Sequence, residues 1–254
     1  MNLQSITKTI SLRPGMLKRV VLGGGAVAFG LYRLLYAIGF DGRGLLKSGH
    51  FAWVTLCILS VAMGVVIFTS ASQFRGVDVR FRKSLPAAVC CGLALVSTVF
   101  TGLQNLWGGY LIYAIPAFLA ACGFAAVTLC RLRGRKPNFG MHSLICIHFT
   151  LQLLKLYQTN SFQPQFQDYL FQTLACVALA VTGYQLAAAD LGRGSRSRLW
   201  TAGLAAVYLC VLCQFAADSS AVCAVMHSRI SESIILLMVF SIVSLPSSTS
   251  PRCL

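Results

Sequence analysis

The chain has 254 residues, of which 57% are hydrophobic and only 11% charged. A soluble domain carries roughly 25% charged residues and a disordered chain is polar, so composition excludes both classes. The charge is lopsided, with 21 Lys and Arg against 6 Asp and Glu for a net +15; a helical protein that crosses a membrane several times is what remains.

A transmembrane helix needs about 20 apolar residues. Eight such runs follow one another, at 20–40, 51–70, 85–103, 110–129, 141–157, 169–189, 199–217 and 230–245. The last begins near either 219 or 230. Unbroken runs of this length are helices, because an outer-membrane barrel strand is a ten-residue segment of alternating polarity. The fold class is thus an all-α polytopic bundle of about eight transmembrane helices. A basic tail (1–19) precedes the single bundle (20–245), and a short tail (246–254) follows it.

In chain order, the first run carries Gly23, Gly24, Gly25, Ala26 and Gly30, small residues that let a neighbour approach, and also Arg33. Its small-x-small site, Ala26-Val27-Ala28, lies too close to Arg19 to leave room for the apolar core of a cleavable signal peptide, so the run reads as an uncleaved anchor. The fourth run contains Pro116, expected to kink it, and the small stripe Ala117, Ala121 and Ala125. Trp107, Tyr110 and Tyr113, with Trp53 and Tyr169, fit an outer interfacial belt. The fifth run is short and the least apolar.

Basic residues mark the cytoplasmic side. With the N-terminus inside, 16 of the basic residues fall inside, in the tails and in the loops around Arg75–Lys83, Arg131–Lys136 and Arg193–Arg198. Only Arg43, Lys47 and Arg229 fall outside, while Arg33 and Lys155 lie within spans. Dropping the weak fifth span would put Arg193, Arg196 and Arg198 outside, so the count supports eight spans with both termini cytoplasmic. The location expected is a plasma or cytoplasmic membrane. The anionic partner is the inner leaflet, at about 1 kcal/mol per basic residue near the surface. Nucleic acid is not expected, since no basic stretch is interleaved with stacking aromatics.

Nearly all of the 11 cysteines fall inside spans and read as small packing residues. Cys210 and Cys213 form a C-x-x-C pair, but no βαβ pattern adjoins it as a redox motif requires. His142, Cys146 and His148 are the residues nearest to a metal set, yet His148 lies on a different helix face, so no metal or other cofactor is expected. The six acids, Asp41, Asp78, Asp168, Asp190, Asp218 and Glu232, lie in loops or at span ends. Paired-carboxylate hydrolysis, magnesium-dependent phosphoryl transfer and zinc proteolysis all need clustered acids or an HExxH spacing, and the chain has neither. It is expected not to be an enzyme; a thiol chemistry on Cys210 and Cys213 is the weakest alternative.

The fifth run carries the main polar constellation. His148, Gln152 and Lys155 are spaced i, i+4, i+7 on one helix face, with Thr159 continuing the row. Arg33 in the outer half of the first span and Gln172, one turn into the sixth, are the residues that would complete a cavity. Asp168 is a partner for Lys155, and Arg229 one for Glu232. Arg33, His148, Gln152, Lys155 and Gln172 together are the candidate substrate-binding residues. Two cations without a mid-membrane acid favour an anionic or zwitterionic solute. The function expected is a small permease, or the membrane subunit of a transport system, for a polar and anionic solute. The alternative is a non-enzymatic sensor or assembly subunit with a dry polar core, in which the cations snorkel and the other groups bond neighbouring helices. A second copy of the chain or a partner membrane subunit suits either reading.

Overall fold

The computed structural model describes residues 14–39, 51–71, 85–160 and 166–213. They form seven α-helices: α1 (Pro14–Ile38), α2 (Phe51–Ala71), α3 (Leu85–Trp107), α4 (Leu111–Arg133), α5 (Phe139–Asn160), α6 (Phe166–Asp190) and α7 (Arg196–Cys213). The first seven apolar runs each overlap one of these helices, and the run at 230–245 lies outside the described residues, as do Arg229 and Glu232.

Five of the helices are long and apolar enough to cross a membrane: α2, α4, and the 87–107, 139–158 and 170–190 portions of α3, α5 and α6. Of the other two, α1 carries Lys18, Arg19 and Arg33, and α7 opens on Arg196 and Arg198. The outward faces are apolar as well as the inward ones. On α2, Val54, Ile58, Val61, Val65 and Phe68 form an exposed stripe, while Ala52, Leu56, Met63 and Ile67 are buried on the opposite side. A helix apolar all round belongs in lipid or a large core.

Eight threonines on these helices are tied to their own backbone. Thr55, Thr69, Thr98, Thr101, Thr128, Thr150, Thr182 and Thr201 each donate the hydroxyl to the carbonyl four residues back, at 2.7–3.1 Å. That bond removes the cost of burying a hydroxyl in an apolar setting. Three helices end on glycines in the left-handed region, where a side chain is strained: Gly109 after α3, Gly134 after α4 and Gly192 after α6. At Gly134 the N–H and that of Arg135 both close onto Cys130 O.

The packing order is α3, α4, α5, α6, α7, each on the next, with α1 against α7 and α2 laid on both. Glycines mark the close approaches. A Cβ at Gly24 would meet the Met63 thioether of α2 at 2.7 Å, and one at Gly25 would meet Val211 of α7 at 3.1 Å. At Gly123 it would lie 2.8 Å from Met141 O of α5, and at Gly183 it would lie 3.2 Å from the Cys146 Cα. The small cluster of α1 thus serves two neighbours at once, and Ala117 and Ala121 of α4 are buried. Pro116 sits inside α4, where it removes one backbone donor.

Candidate functional site

The polar residues gather in two places at opposite ends of α5. At 100° per residue, Met141, Ile145, His148, Gln152 and Lys155 share one side of that helix. Met141 and Ile145 are the residues that meet Gly123, so this side turns to α4. His142 and Cys146 face the other way, toward α6, where the Cys146 thiol donates to Ala180 O at 3.3 Å.

At the end of α5 near its C-terminus, Lys155 reaches into the α3–α4 turn. Its Nζ donates to Asn105 Oδ1 at 2.5 Å and stands 5.1 and 5.5 Å from the ring centres of Tyr110 and Tyr113. Both distances are within cation–π range. Tyr113 Oη donates in turn to Gln158 Oε1 at 2.6 Å. Asn105 is buried, and its backbone carbonyl takes the Tyr110 N–H that closes the turn. Lys155 therefore fastens α5 to the α3–α4 connection. The aromatic belt residues Tyr110 and Tyr113 do this work with it. The Asp168 side chain, the partner expected for Lys155, is outside the described residues.

At the other end, His142 in the first turn of α5 places Nδ1 2.5 Å from Asp190 Oδ2, the last residue of α6. Both side chains are 1% exposed. Arg131, in the last turn of α4, is also fully buried and close enough to feel the Asp190 charge. The carboxylate sits beside the N-terminal turn of α5, whose dipole favours an anion, and Arg131 sits where the α4 dipole favours a cation. The His142–Asp190 pair thus ties α5 to α6 at the end that carries the basic loops. Counting by side treats Arg131 as a loop charge; it is buried because α4 continues through Arg133. Local spacing gives no sign of the His142–Asp190 pair, since 48 residues separate them. The one available signal was a lone acid at a span end in a chain with only six.

The five candidate residues are distributed as follows. His148 is buried at 4% exposure, its ring edge-on to Phe149, and Gln152 and Lys155 are half-buried on the same side of α5. Gln172 is half-buried on the side of α6 that also carries Ala180 and Gly183 toward α5. Arg33 is exposed, its guanidinium 5.9 Å from the Phe29 ring of its own helix. In the packing order α6 and α7 stand between α1 and α5, although Tyr32 meets Phe171 edge-on at 5.7 Å. Lys155 of the α5 row is thus brought together with Asn105, Tyr110 and Tyr113. Cys210 is buried at 1% exposure, and the Cys213 side chain is outside the described residues. Among the described residues no group of three His, Cys, Asp or Glu is placed to hold a metal ion. No protein-family model, curated protein or solved structure matches the chain.

Proposed function

We propose that the chain is an integral membrane protein of eight spans, both ends on the side of the basic loops, whose polar residues hold its helices together. It is then an assembly or sensor subunit that acts through another membrane protein. The observation that carries this reading is the engagement of Lys155. The one cation of the α5 row is committed to Asn105 Oδ1 and two tyrosine rings, and the row's side of α5 is turned to α4. Buried polar groups between membrane helices are each worth about 1 kcal/mol as glue.

A small permease for a polar, anionic solute is the second reading. What favours it is Asn105 Nδ2, a buried donor with no acceptor among the described residues, next to the Lys155 ammonium. Water access decides between the two. In a version without native cysteines, a cysteine replaces Gln152 and a membrane-impermeant thiol reagent is added from the outer side. The structural reading expects no labelling at 152 while a cysteine at Gln158 labels. Labelling at 152 would reveal a wet path to the row and move the permease ahead, with anionic solutes the first to assay.

A further inference from the structure

Between α6 and α7, with Phe68 of α2 at its edge, lies an open groove of about 810 Å³. That is within the range of sites that hold an organic ligand, about 300–1,000 Å³. Its lining is divided by polarity along its length. Gln185, Ser195, Ser197 and Arg198 are grouped at the end where the α6–α7 turn lies, and beyond them the walls are apolar except for Thr201, whose hydroxyl is bonded to Ser197 O, with Leu174 and Val181 on one side and Leu209 on the other. The hollow exists because small residues, Ala178 and Ala205, line it where larger ones would fill it. Arg198 is exposed and makes no ion pair among the described residues.

The length of the groove matches one leaflet. From Gln185 to Leu174 along α6, and from Arg198 to Leu209 along α7, the walls each advance 11 residue steps, roughly 16 Å at about 1.5 Å per residue. The hydrocarbon core is about 30 Å thick, so half of it is about 15 Å. The polar end sits beside the basic turn of Arg193, Arg196 and Arg198, at the level of the headgroups in the proposed orientation. From this fit of charge, length and polarity we propose that the groove holds one anionic glycerophospholipid of the inner leaflet. Its phosphate is paired with Arg198 and bonded by Ser195 and Ser197, and its acyl chains lie along Leu174, Val181 and Leu209. Arginine is the suited residue, because its planar fork meets a phosphate with two parallel N–H donors.

The proposal rests on the membrane reading above; a chain that fractionates without detergent would overturn that reading before any lipid is counted. The test uses the full chain purified in mild detergent and offered phosphatidylglycerol and phosphatidylcholine with identical acyl chains. Bound lipid is counted by native mass spectrometry. The wild-type chain is expected to retain the anionic lipid in preference by about fivefold, the ratio that one basic residue near an anionic headgroup supplies. Arg198→Gln should bring the two lipids to parity, whereas Arg133→Gln, an exposed arginine outside the groove, should leave the preference intact. Ala205→Trp, which fills the hollow, and Val181→Trp, which fills it from the other wall, should each remove the retained lipid. Equal retention by wild type and Arg198→Gln would overturn the proposal. So would a photo-crosslinker at Val181 that couples to residues 214–254 of the same chain in place of lipid.

Discussion

The pairing of His142 with Asp190 makes a quantitative prediction about what holds α5 and α6 together. An interhelical hydrogen bond in a membrane bundle averages about 0.6 kcal/mol and reaches about 1.7. A hydrogen bond to a charged group is worth about 1.5–3 kcal/mol. The His142 and Asp190 side chains are both 1% exposed, and the imidazole and carboxyl groups meet at 2.5 Å. The second range is therefore expected for a double-mutant cycle with His142→Leu and Asp190→Leu. The single changes should also be unequal. Asp190→Leu unpairs the buried His142 and also removes the carboxylate that acts electrostatically on the buried Arg131, a loss of about 3 kcal/mol or more. His142→Leu removes only the imidazole bond and costs about 1–3 kcal/mol. The assay is unfolding in mixed micelles by added anionic detergent, followed by tryptophan fluorescence. A coupling of about 0.6 kcal/mol or less, or equal costs for the two single changes, would refute the reasoning.

Other predictions follow from close approaches and polar contacts. Gly123→Ala places a Cβ against the Met141 carbonyl, which cannot swing aside; overpacking of about 1–3 kcal/mol should outweigh the helix gain of up to about 1 kcal/mol, a net loss in the same unfolding assay. Gly64→Ala, whose Cβ meets nothing within 4 Å, should be neutral or stabilise by up to about 1 kcal/mol. Lys155→Met removes the bond to Asn105 and the cation from the two tyrosine rings, and should cost about 1–2 kcal/mol. Tyr113→Phe loses one exposed hydrogen bond to Gln158 and should cost at most about 1 kcal/mol, less than Lys155→Met when the two are compared in one unfolding titration.

Much of the fold is legible in the sequence for a simple reason. In a low-dielectric setting the backbone must satisfy its own polar groups, so an unbroken apolar run of sufficient length has one local solution, the helix. The row of His148, Gln152 and Lys155 is legible too, because helical spacing puts it on one side of α5. Which neighbour that side faces is not legible, since facing is set by contacts distant in sequence. The Gly123 notch that draws in Met141 and Ile145 is one such contact, and Asn105, 50 residues before Lys155, is another. Arg33 has the composition of a site residue, yet its helix packs on α2 and α7. Arg131 has that of a loop charge, yet α4 carries it into a buried position. In both cases one-dimensional counting of charge has no access to helix neighbours.

The central claim is that these helices cross a membrane, and α5, the least apolar of the runs, is where it is most exposed to refutation. In a cysteine-free version, single cysteines at Lys136 and Gln158 flank that helix, and both positions are exposed. An impermeant thiol reagent is added to intact cells and, separately, to inverted membrane vesicles. Gln158→Cys is expected to label only in cells and Lys136→Cys only in inverted vesicles. Labelling of both from the same side would contradict it, because α5 would not span and every helix after it would change orientation.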